Sequence, residues 1–590
     1  MLLIILSWIY ITCLSYVIGV ALHAFLQRAF DTERADLHFT LKCLSGLAAI
    51  TFVSMLSCLF MPLGGLFQLV LLLITAVCAI SGRSALKASW KADCKRWQEG
   101  NWIIRLMFIA FIFVMAKLSY APSSHHDDGL YYSTTIKWLQ EYGTVKGLAN
   151  LNPRIAFNSS WHILQAAFGF PFLHLGLFND MNGLLFLLVL LYSMGGILAL
   201  LKGQATVQNL LRTFFMLPVL AFHFHATSDI ILFNVNFISS SSADVPACLL
   251  TWMIFLLFLE GAKGVDGTAE SRHIRLQDIL VIGYSVWVLT IKLSYAPILI
   301  LSGFILVKAL IARQIKTALY LGAASLLFLI PWITRTALLS GYLFFPFSRI
   351  DLLHVAWKLP LKDILWHENA VKAFPLGADL NRPFDIPFSK WFPAWFAGLD
   401  FIRQVVLGSA ILSFVGYAVI AVRYSFSGDR QFFARHQRPV VFVLAGTAGI
   451  LFWLLKGPDF RFGYGFLCIY DLFFLVLLCQ FFLEGYSRYL VIPALLYAAA
   501  LLIFYYKDTW TSIAEYFKAP LPYRMPAGIR EVKIPSGRPG EELPLYLVSH
   551  DDSWNAPLPV ANENEYGGLN PAYIGTSIND GFRSQELNKP

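Results

Sequence analysis

Apolar runs long enough to cross a lipid bilayer recur from one end of this chain to the other. A helix needs about 18 or more apolar residues to cross ~30 Å of hydrocarbon. Such runs occupy 2–22, 39–60, 65–82, 102–121, 183–202, 208–226 and 245–261. A second set covers 278–293, 296–312, 317–335, 402–422, 439–455, 463–484 and 489–506. Backbone groups left unpaired in hydrocarbon are costly, so each run predicts a helix. The pattern predicts an all-α polytopic membrane protein with about 12–14 transmembrane helices, its membrane unit ending near residue 506.

The polar intervals give the pattern a direction. Arg83, Lys87, Lys91, Lys95 and Arg96 crowd one connection, Lys263, Arg272 and Arg275 another, and Arg423, Arg430, Arg435 and Arg438 a third. Basic residues collect in cytoplasmic loops. Placing these three inside puts both termini outside and predicts a multi-pass membrane protein. Met1–Tyr10 has no basic residue and so lacks the charged start of a cleaved signal peptide. Three long segments then lie outside: 122–182, 336–401 and 507–590. In the first, Trp161–Phe178 reads as an interfacial or re-entrant helix, because a full crossing there would invert every later basic loop. The second is rich in Trp, Phe and Pro around Phe384–Trp395, which suits amphipathic helices on the membrane surface. The third is polar and predicts a small C-terminal extracytoplasmic domain or tail.

Composition sharpens this reading. Hydrophobic residues make up 57% of the 590 and charged residues only 14%, more apolar surface than a soluble core requires. The net charge of +9 is spread over alternate loops, so it is a topology signal and implies no nucleic-acid partner. All eight cysteines fall in predicted spans or, for Cys94, in a cytoplasmic loop, which argues against a disulfide framework or a thiolate metal site. The hexapeptide KLSYAP occurs twice, at Lys117–Pro122 and Lys292–Pro297, each time at an outward helix end.

The richest chemistry is HHDDGLYY, from His125 to Tyr132, where the fourth span leaves the membrane. Adjacent Asp127 and Asp128 repel, so one carries a raised pKa, and either suits a general base or a divalent-cation ligand. The plainer alternative is a solvated loop with an N-cap at Asp127 or Asp128 and an amphipathic helix from Tyr131. Other costly residues reach the same side. These are Lys292, Arg335, Asp459, Arg461, and Asp229 and Asp244 flanking a Ser-rich loop. Each basic residue taken singly also fits snorkelling at a helix end. Together they outline an outward-facing site suited to a phosphate at headgroup level, held bidentately by Arg and as a point charge by Lys. His223 and His225, two apart on a helix, point to different sides and make a poor metal pair. Asp471 lies inside a span and calls for a structural hydrogen bond, and Asn158-Ser159-Ser160 matches a glycosylation sequon. No phosphate-cradling glycine loop, HExxH or dinucleotide fingerprint occurs.

The stretch DDGLYYSTTIKWLQEYGTVKGLANLNPRIAFNSSWHIL (127–164) resembles the signature of bacterial GT-C-like membrane proteins. PWITRTALLSGYLFFPF (331–347), PDFRFGYGFL (458–467) and the tail NAPLPVANENEYGGLNPAYIGTSINDGFR (555–583) are similar to further elements of that group. The likeness extends to pilin arabinosyltransferases and runs over most of the chain from about residue 120. It implies a GT-C glycosyltransferase that moves a sugar, arabinofuranose or another pentose or hexose, from a polyprenyl-phosphate donor to an acceptor with inversion. The acceptor would be a glycan, a lipid or a secreted protein such as a pilin. By position, Asp127 would be the general base and Asp128 its less certain partner. Arg335, Arg461 and Lys292 would hold the donor phosphate. His125, His126, Tyr132, Arg154, Tyr342 and Asp459 would contact substrate. A divalent cation, Mg or Mn, on Asp127 and Asp128 is optional in the class. The cysteine the likeness implies near Trp554 is absent, so no disulfide is carried over.

Two other readings stay open. A polysaccharide polymerase or ligase would place an Arg- and His-dominated loop late in the chain, whereas the acidic loop here comes early. A lipid-linked-sugar transporter or flippase would carry charges near the bilayer midplane, where Asp471 stands alone, and paired broken helices.

Overall fold

The computed structural model describes residues 1–33, 36–121, 123, 125–173, 179–215, 238–261, 274–426, 436–483, 486–509, 525–526, 528–549 and 553–586. Thirteen of the fourteen apolar runs coincide with helix, and the described start of the remaining one, 208–214, is helical too. In chain order these are α1 (Leu2–Ala29), α2 (Phe39–Ser57), α3 (Gly65–Ser81), α4 (Arg83–Gln98) and α5 (Trp102–Tyr120). Next come the short α6 (Ser133–Glu141) and α7 (Ser160–Ala167), then α8 (Met181–Leu201), α9 (Val207–Phe214), α10 (Asp244–Glu260) and α11 (Leu276–Ile291). The second half holds α12 (Leu299–Ile311), α13 (Ile315–Ser340), α14 (Leu361–Ala373), α15 (Phe388–Gly398), α16 (Phe401–Phe426), α17 (Gln437–Lys456), α18 (Phe460–Phe482) and α19 (Val491–Thr509). Nine of the described helices are long and apolar enough to cross a bilayer, or ten if the bent pair α3–α4 is one span. This is a multi-pass helical membrane protein. Most of run 208–226, with His223, His225 and Asp229, lies outside the described residues, as do Lys263, Arg272, Arg430 and Arg435.

Local chemistry sets the helix ends. Asn101 and Asp459 side chains accept from the backbone N–H two residues on, at 2.9 and 3.0 Å, capping α5 and α18. At Gly82 the chain turns by 88°, so α4 leaves the axis of α3. Inside the bundle small residues permit close approach. A Cβ on Gly19 would meet Lys42 O, and one on Gly46 would meet Ser15 O, so α1 and α2 cross backbone to backbone. Asp471, on α18, accepts from Ser409 and Ser413 of α16 at 2.6 and 3.0 Å, the structural bonds expected of a charge inside a span.

Contacts between helix ends show how the chain alternates. One end is tied by Arg438 of α17, which meets Asp278 of α11 at 2.7 Å and Phe258 O of α10 at 2.7 Å. Lys42 of α2 meets Asp93 of α4 and Asp36, each at 2.7 Å, at that same end, which we term the basic end. The opposite end gathers the exits of α5, α11, α13 and α17 and the entries of α10 and α18. It carries the long connections.

Two expectations change here. Of the interfacial and re-entrant readings of this stretch, residues 160–167 depart from the first: every residue of α7 is buried, and the helix packs on α2, α6 and α11. A short helix enclosed by protein is apolar all round, which sequence cannot distinguish from one lying on lipid. The C-terminal segment, moreover, adds strands to a fold otherwise made of helices. β1 (Arg530–Pro535) pairs antiparallel with β2 (Glu542–Val548), which pairs parallel with β3 (Val560–Asn562). The helix α20 (Glu563–Leu569) follows, and β4 (Pro571–Tyr573) pairs antiparallel with β5 (Phe582–Ser584). These strands share one core with the first long connection: Ile534, Leu545, Tyr573 and Phe582 pack with Trp138, Val145 and Leu148. By contrast α15 is largely exposed, with Phe388, Trp391 and Phe392 in mutual ring contact, as an amphipathic surface helix should be. The two KLSYAP copies differ: the first is helical through Tyr120, the second leaves α11 at Lys292 and forms a 3₁₀ turn.

Candidate functional site

A cavity of about 1000 Å³ opens at the end of the bundle that carries the long connections. Asp127, Tyr132, Arg154, Lys292 and Arg461 all line it, as do Asp244, His162, Arg349, Lys372 and Lys456. Five of the eleven candidate residues therefore reach one space from four separate parts of the chain.

Asp127 precedes a π turn over Asp128–Tyr132, and neither acid caps that turn through its side chain. The wider turn directs the two neighbours apart. The Asp127 carboxylate is partly exposed in the cavity, where Tyr132 Oη donates to it at 3.3 Å and Arg461 Nη1 at 3.4 Å. Asp128 is fully buried and accepts from Ser241 N at 2.9 Å and Ser123 Oγ at 2.5 Å. Burial pushes its carboxyl above the usual carboxylate range, with His125 and the hydrogen bonds acting against it. Asp128 does not line the cavity, which corrects its assignment as a partner in catalysis. Nor do the two carboxylates face a common point, so they do not form a two-carboxylate metal site. Among the described residues no three His, Cys, Asp or Glu side chains converge as a metal set.

Arg461 is the hub of the cation side. It lies 3.1 Å from Asp459, 3.4 Å from Asp127 and 3.9 Å from Asp244. Lys292 pairs with Asp244 and lies over the Phe462 ring. Three carboxylates thus face two cations, and the phosphate-binding duty expected of Arg461 and Lys292 is already met by protein. Arg349, Lys372 and Lys456 line the same cavity and form no ion pair among the described residues. The free positive charge of the cavity is there, on the connection after α13 and in the last turns of α14 and α17.

The remaining candidates lie beside the cavity. Arg335 is fully buried and donates to the Asn158 side chain, which in turn donates to Trp332 O at 2.9 Å and Thr336 Oγ1 at 2.7 Å. Neither Arg335 nor Asn158 lines the cavity, so the pair braces the wall from behind. The sequon is consequently no acceptor, since Asn158 is 2% exposed. Tyr342 is buried among Phe345, Leu359 and Ile364, donating to Leu359 O at 3.3 Å, and is a packing residue. Asp459 spends its carboxylate on capping α18 and holding Arg461. The His125 ring stacks on Tyr132, and its Nδ1 accepts from Asp127 N at 3.2 Å. His126 is exposed and lies off the cavity wall. Arg154 pairs with Glu565 of α20, which brings the C-terminal segment to the rim.

Two wall residues were assigned no role from sequence. Asp244 stood only among the costly residues near the membrane surface; its partner Lys292 lies 48 positions on. His162, in the WHIL of the 127–164 stretch, packs its ring on Tyr132 at 4.6 Å. Burial, then Arg335, lowers its pKa to about 3, so it is neutral. Its Nε2 has no hydrogen-bond partner among the described residues. That nitrogen is enclosed by protein, so His162 backs the Tyr132 ring.

A cavity between helix ends in a multi-pass helical membrane protein, with the Asp127 carboxylate partly exposed and cations without ion-pair partners among the described residues on its wall, defines the class of molecule. The chain belongs to the family described as Domain of unknown function (DUF8201), whose model matches residues 1–468 and so includes every wall residue. No curated protein and no solved structure matches it.

Proposed function

We propose that this protein is a GT-C-type membrane glycosyltransferase, acting on the outer face of a bacterial inner membrane with a polyprenyl-phosphate sugar as donor. The observation that carries the reading is the setting of Asp127. It is a carboxylate aligned by Tyr132 and Arg461 in a cavity that also holds uncommitted cations. The likeness of 127–164 and the three later elements to GT-C-like proteins adds to it.

In the reaction, Asp127 takes the proton of an acceptor hydroxyl as that oxygen bonds the anomeric carbon. The bond from that carbon to the phosphate oxygen breaks, its electron pair leaves with the phosphate, and the configuration inverts. Arg349, Lys372 and Lys456 bind the leaving polyprenyl phosphate, and charge developing there strengthens those contacts in the transition state. Arg461 and Lys292 fix the carboxylates rather than holding phosphate first. The acceptor is a glycan, a lipid or a secreted protein, and the C-terminal segment, extracytoplasmic in this reading, forms part of its docking rim through Glu565.

The test is Asp127→Asn. Sugar transfer is expected to fall by about 10²–10⁴-fold, the usual contribution of a positioned base, with membrane abundance unchanged. Full transfer by that variant would sink the assignment.

A further inference from the structure

A second cavity, of about 590 Å³, lies at the basic end of the bundle. Its wall is made by the start of α2, the end of α4, the first turns of α5, the last turns of α8 and the last turn of α9. The α5 helix has 19 residues. At ~1.5 Å per residue it separates this cavity from the Asp127 cavity by about 28 Å, one hydrocarbon thickness.

The wall is unevenly charged. Its two carboxylates are committed: Asp93 to Lys42 and Arg96, at 2.7 and 2.9 Å, and Glu99 to Lys95 at 3.7 Å. Arg96 is in turn held by Asp36 at 2.9 Å. Arg105, Lys202 and Arg212 remain, and none forms an ion pair among the described residues. Arg105 also has a buried Nε with no hydrogen-bond partner there. Arg212 is fixed in place, its guanidinium 3.7 Å from the Tyr192 ring. It lies so close over α8 that a Cβ on Gly195 would collide with it. Uncompensated guanidinium groups at a partly buried wall are costly unless an anion meets them.

The depth and the rest of the wall say what kind of anion. Phe108, Met194 and Leu198 continue the wall toward the middle of the bundle, so the cavity has a cationic mouth and an apolar floor. The α4 helix leaves α3 at 88° and exposes Trp90 and Trp97 beside Lys87, Lys91 and Lys95. That is the composition of a helix lying at a membrane surface. A cationic mouth over an apolar floor at that depth matches a phosphate with hydrocarbon attached better than a free ion.

We propose that this cavity binds the phosphate headgroup of a membrane lipid, with Arg105, Arg212 and Lys202 on the phosphate and the chain running past Phe108 and Leu198. A glycerophospholipid and a polyprenyl phosphate present the same headgroup chemistry. The site is separate from the Asp127 cavity and does not depend on glycosyl transfer.

The test is native mass spectrometry of the purified full-length protein in neutral detergent. It is titrated in parallel with phosphatidylglycerol, undecaprenyl phosphate, phosphatidylcholine and sodium phosphate. One or both anionic lipids are expected to bind, and the tighter of the two identifies the source. At about 1 kcal/mol per basic residue, Arg105→Gln/Arg212→Gln should weaken binding about 30-fold and Lys202→Gln about 5-fold. Lys202 is exposed just past the end of α8, so its variant gives an answer even if the double variant does not fold. Equal retention of phosphatidylcholine, unchanged anionic-lipid binding in the variants, or displacement of the lipid by equimolar sodium phosphate would each overturn the proposal.

Discussion

Asp127 and Asp128 are neighbours with opposite surroundings, and removing each has a different consequence. Asp128 satisfies Ser241 N–H and the Ser123 hydroxyl in a fully buried setting. Asp128→Ala leaves those donors unpaired, at about 1–3 kcal/mol each, and should lower the thermal unfolding temperature clearly. Asp127→Asn keeps the shape at a partly exposed site and should leave that temperature nearly unchanged. The cations divide in the same way. Lys456→Gln and Arg349→Gln, at residues without an ion-pair partner among those described, should raise KM for a lipid-phosphate donor and spare stability. Arg461→Gln frees three carboxylates from one cation and should harm both. At Asp363, burial first and Glu586 and Glu565 after it raise the carboxyl to about 6, with Lys362 opposing. A raised folded-state pKa means that protonation favours the fold. Its contribution should therefore be full below pH ~4, where the unfolded group titrates, and be lost as pH rises through about 6. Unfolding curves from pH 4 to 7 should show this fall in the wild type and less of it in Asp363→Asn.

At the scale of elements, the π turn that aims Asp127 is held from outside its own segment. Ser553 N and Trp554 N donate to Gly129 O at 2.7 and 3.1 Å, and Ser133 Oγ donates to Trp554 O at 3.0 Å. Deleting residues 525–590 should therefore cut activity at least about tenfold, since small misplacement of a catalytic group is costly. The bundle should still insert, as judged by membrane abundance and a monodisperse profile in detergent. None of this docking is visible in sequence, because three of the five strands have only three residues and carry no period, and the core is completed by Trp138 and Val145, some 400 positions away. The helices were legible because apolar length alone dictates them in lipid. The side-chain directions were not: nothing in the letters separates Asp128 from Asp127, or Arg335 from the wall. Lys292 and Arg461 could be found because ionisable groups near the membrane are costly. Their pairing with Asp244 appears only once helix ends meet.

For the whole molecule, the helix-end contacts divide the protein into an Asp127 end and a basic end. Single cysteines at His126 or Asn381, placed in a background lacking the eight native ones, should react with an impermeant maleimide from one side of the membrane. Cysteines at Lys91 or Lys202 should react only from the other. Labelling of both sets from the same side would contradict the alternation. The two cavities then face opposite leaflets, one with a carboxylate and free cations, the other with cations over an apolar floor.

The glycosyl-transfer account is tested most directly by mass spectrometry of surface glycans and pilins from cells that lack the protein, complemented with wild type or with Asp127→Asn. A sugar modification should vanish in its absence, return with the wild type, and stay absent with Asp127→Asn present at normal membrane levels. Restoration by Asp127→Asn, or glycans identical in all strains, would contradict it.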